Sequence, residues 1–188
     1  MVYIAILRGI NAGRKNRIKM ADLRRSLKGL GLEQIQTYIQ SGNLFFITEE
    51  MPNQELEKRI VTRIKKDFDS EISCIVHTQK DWQKIINKNP FLQNPKKEEK
   101  YMHVSFLGKT PEDFKEKELR SKLREGEEIE FDSRAVYLYC PIGYGKTKLN
   151  NNFLENKLKV KATTRNWRTT GKLLQLVRQT QKQLDNEN

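Results

Sequence analysis

The chain has 188 residues, 36 of them Lys or Arg against 24 Asp or Glu, for a formal charge of +12. Hydrophobic residues make up 36% and charged residues 32%, a balance that excludes a disordered chain. No apolar run approaches the roughly 20 residues of a membrane-spanning helix. Two cysteines exclude a disulfide framework and predict a reduced, cytoplasmic protein. Met1 to Arg8 has neither a basic n-region nor a small-residue cleavage site, so no signal peptide is read there.

Val2 to Leu7 reads as a short buried strand, followed by a polar loop from Gly9 to Lys19. Met20, Leu23, Leu27 and Leu30 form one helical stripe that ends at Gly29 and Gly31. Ile35, Thr37, Tyr38 and Ile39 form a strand, Ser41-Gly42-Asn43 a tight turn and Leu44 to Ile47 the returning strand. Pro52 opens a helix with Leu56, Ile60, Ile64 and Phe68 on one face, and Ile72 to Val76 closes a β-α-β-β-α-β order. A connecting helix over 81–89 turns Trp82, Ile85 and Ile86 inward, and the polar stretch 89–100 reads as a linker.

The order then repeats. Tyr101 to Leu107 is a strand, and Thr110-Pro111 predicts a capped helix start. Ile129 to Phe131 and Ala135 to Cys140 form a hairpin around Asp132-Ser133. Thr147 is expected to cap a helix carrying Leu149, Phe153 and Leu158. Val160 to Thr163 is a strand, and a last helix aligns Leu173, Val177, Thr180 and Leu184. The reading is an α+β protein of two tandem ferredoxin-like (α/β plait) units, 1–92 and 93–188, with an added C-terminal helix.

Charge is concentrated at the ends. Residues 1–48 hold eight basic and two acidic side chains, and residues 136–188 hold ten and three. Such a field favours anionic partners. In a plait the loop after the first strand and the first hairpin share one end, so Arg8, Asn11 and Lys15 are expected beside Gln40, Ser41 and Asn43. The same logic sets Tyr144 and Lys148 near Arg165 and Asn166. These ten residues are the candidate ligand site, because Arg suits phosphate or carboxylate and the amides and hydroxyls add donors. The turn residues Asn11, Ser41 and Asn43 are equally suited to satisfying loop backbone.

Other chemistry is poorly supported. Gly145-Lys146-Thr147 resembles the end of a phosphate-binding loop, but the required earlier Gly is Cys140. No zinc spacing exists, the first 48 residues hold only Asp22 and Glu33, and no cofactor or metal motif is read. Phe45 and Phe46 would serve as a base-stacking platform only if left uncovered. The expected partner is an anionic small molecule; the alternatives are a nucleic acid held by phosphate contacts, or a small metal-independent enzyme.

Four segments carry a resemblance: Leu7-Arg8-Gly9-Ile10-Asn11 with Gly13; Thr37 through Asn43; Tyr139 to Gly145 with Lys148-Leu149; and Thr163-Thr164-Arg165-Asn166-Trp167 with Thr169. Together they closely resemble the bacterial domain-of-unknown-function family 1697. The resemblance implies a tandem α+β plait in a cytoplasmic bacterial protein and implies no activity. The sequence departs from the family pattern at Arg14, where a second Gly is usual.

Overall fold

The computed structural model describes residues 1–11 and 17–187, without the side chains of 184, 185 and 187. The chain is α+β, with two four-stranded antiparallel sheets. It divides into two compact units, 1–82 with 173–188, and 83–172.

In the first unit β1 (Val2–Arg8), α1 (Met20–Lys28), β2 (Glu33–Tyr38), β3 (Asn43–Ile47), α2 (Asn53–Phe68) and β4 (Ser73–Thr78) follow in order. The sheet order is β2-β3-β1-β4. Alternation along the strands sends Tyr3, Ala5, Leu7, Leu44, Phe46, Cys74 and Val76 into a core with Leu23 and Leu27 of α1 and Leu56, Ile60 and Ile64 of α2. The intervening Ile4, Ile6, Phe45 and Ile75 are also buried. A strand covered on both faces reads as an unbroken apolar run, which is why Val2 to Leu7 does not alternate. Phe45 and Phe46 are 1% and 0% exposed, so neither ring offers a stacking surface. Helix α3 (Gln79–Asn87) follows, with Trp82 and Ile85 buried and Ile86 partly so.

The second unit holds β5 (Met102–Leu107), α4 (Glu116–Arg120), β6 (Glu128–Asp132), β7 (Ala135–Tyr139), α5 (Asn151–Leu158), β8 (Ala162–Asn166) and the start of α6 (Trp167–Glu187), whose residues from 173 on belong to the first unit. The sheet order is β6-β7-β5-β8. Leu107, Ile129, Val136, Leu138 and Ala162 pack against Leu149, Leu154 and Leu158. Leu173, Val177 and Thr180 of α6 are buried as the stripe predicts; the Leu184 side chain lies outside the described residues.

Several boundaries differ from the sequence reading. Thr110-Pro111 does not start a helix: α4 begins at Glu116 after Lys115, whose φ is +52°. Thr147 does not cap α5. Asn150 does, accepting from Phe153 N at 3.0 Å, while the Thr147 hydroxyl donates to Glu127 Oε2 at 3.2 Å. Strand β8 starts two residues later than expected, and Ile39 falls outside β2 in the turn.

The repeat extends to individual hydrogen bonds. Leu7 N donates to the Gly42 carbonyl at 2.7 Å, and Leu107 N to the Arg134 carbonyl at 2.9 Å. Val76 N of the end strand β4 donates to Glu57 Oε1 of α2 at 3.0 Å, and Ala162 N of β8 to Glu155 Oε1 of α5 at 2.9 Å. Each unit thus uses a glutamate from the helix that precedes its edge strand to satisfy a backbone donor on that strand. This also blunts the edge against pairing with another chain.

Candidate functional site

Strands β1 and β2 both run antiparallel to β3, so their C-terminal ends meet one edge of the sheet. Arg8 closes β1 there, partly buried, while Gln40 and Ser41 are exposed on the β2–β3 turn. Asn11, at φ +53°, ties the two loops together. Its Nδ2 donates to the Ile18 carbonyl (3.0 Å) and the Gln40 carbonyl (3.2 Å), and its Oδ1 accepts from Ile18 N (2.7 Å). Asn43 is fully buried and donates to the Tyr38 carbonyl (3.2 Å) and Ser41 Oγ (2.8 Å). The amide donors of Asn11 and Asn43 therefore shape the loops. The exposed residues at this edge are Gln40 and Ser41 on the turn and Arg17 at the end of the first loop, with Arg8 half-buried at the end of β1. Lys15, Gly13 and Arg14 lie outside the described residues.

Gly42 makes the close approach possible. Its φ is +72°, and a Cβ there would sit 2.5 Å from Ile10 Cγ2 and 2.8 Å from Leu7 Cβ. Ile10 is buried against this glycine. In the second unit the corresponding position is Arg134, whose guanidinium folds back onto the carbonyls of Leu107 (3.4 Å) and Gly108 (3.1 Å). One unit closes this edge with its own cation. The other leaves a glycine beneath a loop.

The second group of expected residues is only partly brought together. The Tyr144 hydroxyl reaches Thr164 Oγ1 at 3.0 Å, while Lys148 is exposed. Asn166 Oδ1 accepts from Thr169 N at 2.8 Å and so caps α6. Arg165 donates to the Thr164 carbonyl at 2.9 Å. Burial lowers its pKa to about 10, opposed by Tyr144, which leaves it a cation at neutral pH.

Sequence reasoning missed the polar chain beneath Tyr144. Thr164 Oγ1 donates to Asn151 Oδ1 (2.6 Å) and contacts Ser105 Oγ (2.6 Å) as well as Tyr144. With its single proton given to Asn151, Thr164 accepts from both other hydroxyls. The His103 ring stacks on Tyr144 at 4.9 Å between centroids, and its Nδ1 lies 3.1 Å from the Tyr101 carbonyl. A carbonyl only accepts, so Nδ1 carries the proton of the neutral ring and Nε2 is the acceptor. The only sequence sign of this was the alternation that sends 103 and 105 to one face.

Burial lowers the His103 pKa below its ordinary 6.5, against a smaller opposing effect of the Tyr101 carbonyl. The folded state then binds fewer protons than the unfolded state between the lowered value and 6.5, so stability rises with pH across that window. Thermal melts from pH 5 to pH 7.5 should show this rise, and His103→Gln should flatten it. An unchanged slope in the variant would assign the dependence to other groups. Cys140 is also buried and its thiol is pushed up to about 12, mainly by burial, so it stays protonated and unreactive.

A family model described as protein of unknown function, DUF1697, matches residues 1–137. The chain belongs to the DUF1697 family. The match includes both loops of the first-unit edge; the segments from 139 to 169 lie beyond it. No curated protein matches the chain. Among solved structures, the conserved bacterial protein SP0830 from Streptococcus pneumoniae is 26% identical, with a TM-score of 0.68 over 94% of this chain and 98% of that one. Protein BT0572 from Bacteroides thetaiotaomicron is 11% identical over 87% and 91% of the two chains, at a TM-score of 0.22. The likeness of this DUF1697 chain to SP0830 is one of fold over nearly the whole of both proteins.

Proposed function

We propose that this protein binds an anionic, phosphate-bearing ligand at the first-unit edge, with Arg8 as the charged contact and Gln40 and Ser41 as hydrogen-bonding neighbours. The observation that carries the reading is the tie from Asn11 Nδ2 to the Gln40 carbonyl at 3.2 Å. It fixes Asn11, three residues after Arg8, against the donor-bearing turn, and preorganisation is what lets exposed polar groups bind with net gain. The excess of basic over acidic side chains in residues 1–48 supplies the attractive field. Lys148 and Arg165 add cations in the second unit. The element order and strand orders further support two ferredoxin-like plaits, one built of β1 to β4 and one of β5 to β8. The buried free thiols Cys74 and Cys140 fit a reducing, cytoplasmic setting.

The test is Arg8→Ala, read by titration with inorganic phosphate and by thermal unfolding. A charge-assisted contact contributes roughly 1.5–3 kcal/mol, so affinity should fall by about one to two decades at an unchanged melting temperature. A lowered melting temperature with unchanged titration would make Arg8 a loop-stabilising residue and end the proposal.

A second reading, nucleic acid held by phosphate contacts, is favoured by one feature. A groove of about 510 Å³ along α2 is lined by Lys58, Arg59, Arg63 and Lys66 with Leu30, Thr62 and Glu55; Arg59 pairs with Glu55 and Arg63 with Asp67, which leaves Lys58 and Lys66 as the main contributors of positive charge. Salt dependence separates the two, because a polyanion releases counterions and gives a steep slope whereas a small anion does not.

A further inference from the structure

Six described non-glycine residues have positive φ: Asn11, Gln34, Ile39, Asp69, Lys115 and Lys159. Four have local explanations. Asp69 and Lys159 end α2 and α5 in left-handed caps, Lys115 precedes α4, and Gln34 lies in the register shift of β2. Asn tolerates this region through its short polar side chain. Ile39, at φ +52°, is the one β-branched residue among them, and for such a residue the left-handed region is a genuine outlier.

A strained residue is normally held in place by its own burial, but Ile39 is 52% exposed. A turn that only needed to reverse the chain would be served better by Gly or Asn. Ile39 immediately precedes Gln40 and Ser41, on the turn that Asn11 ties to the Arg8 loop. Strain at an exposed apolar position on a candidate binding edge points outward, to something the chain binds.

We infer that Ile39 is the apolar wall of the anion site, so that the site favours a phosphate ester bearing a flat apolar group over inorganic phosphate or a sugar phosphate. The inference rests on the anion-site reading above. The sheet geometry sets the ligand's size. Strand β3 lies between β1 and β2, so the strand ends at Arg8 and at Tyr38, the neighbour of Ile39, are two strand spacings apart, about 10 Å. A phosphate at Arg8 and an apolar group at Ile39 therefore belong to a ligand of mononucleotide size.

The experiment is calorimetric titration of AMP and of ribose 5-phosphate into the full chain and into Ile39→Gly and Ile39→Thr, with a thermal melt of each. Covering the exposed part of an isoleucine with a base favours AMP by roughly tenfold in the native protein. Both variants should lose that preference and keep their ribose 5-phosphate affinity. Ile39→Gly should also melt roughly 2–4 °C higher, because glycine adopts this backbone without strain. Equal binding of both phosphates by the native protein overturns the inference and leaves the anion site standing. So does an AMP preference that survives in Ile39→Gly, or a lowered melting temperature in that variant. If the native protein binds neither phosphate, the anion-site reading fails and this inference falls with it.

Discussion

Gly42→Ala should destabilise the protein by roughly 2–5 kcal/mol. Two separate terms add. An L-residue forced to φ +72° costs about 1–2 kcal/mol. The new methyl would also lie 2.5 Å from Ile10 Cγ2 and 2.8 Å from Leu7 Cβ, both buried, and overpacking of this kind costs about 1–3 kcal/mol. Against a total stability of about 5–15 kcal/mol, this is a large fraction. Relief would come by moving Ile10, which shifts the loop that carries Arg8 and Asn11. Denaturant unfolding should therefore show a lower midpoint, with phosphate affinity falling in parallel. Ile10→Ala in the same background should recover part of the loss, because it removes the nearer of the two contacts. A Gly42→Ala protein as stable as the native one would show that the approach of loop and turn is not tight.

The second large effect is expected at Glu57. Glu57 is 5% exposed, and its Oε1 accepts from Val76 N at 3.0 Å. Glu57→Ala removes the carboxylate acceptor of a buried backbone donor on an edge strand, which costs about 1–3 kcal/mol, and removes packed methylenes besides. We expect a loss of about 2–3 kcal/mol, a drop of roughly 5–10 °C in melting temperature. Glu57→Gln keeps an oxygen in the same place and should recover at least half. The matching Glu155→Ala, at a partly exposed side chain, should cost less, because water can reach the donor it abandons. If the Gln variant is as unstable as the Ala variant, the charge rather than the hydrogen bond is what α2 supplies to β4.

Much of the architecture was legible from residue spacing. The stripe Leu56, Ile60, Ile64 placed α2, and the runs around Ser41-Gly42 and Asp132-Ser133 placed both hairpins. The neighbourhood of Arg8–Asn11 and Gln40–Asn43 followed from topology. Errors gathered at helix starts in the second unit. Thr110, Thr147 and Asn150 all belong to residue types that cap helices, and propensity does not rank them once a hydroxyl such as that of Thr147 is claimed by Glu127.

By itself the sequence determined the order of strands and helices, the two internal halves and the clustering of positive charge at its ends. These depend on local periodicity and composition, which neighbours in the chain specify. Only the tertiary structure decided which polar side chains face outward. Asn11, Asn43 and Asn166 looked like ligand donors and instead satisfy backbone groups up to 29 residues away in sequence. The Tyr144–Thr164–Ser105 chain joins residues from three elements, and the strain at Ile39 is a property of backbone torsion. A side chain's hydrogen-bonding capacity is written in its residue type. Whether that capacity is spent inside the fold depends on which carbonyl or amide folding brings within about 3 Å, and that distance is set by segments far apart in the chain.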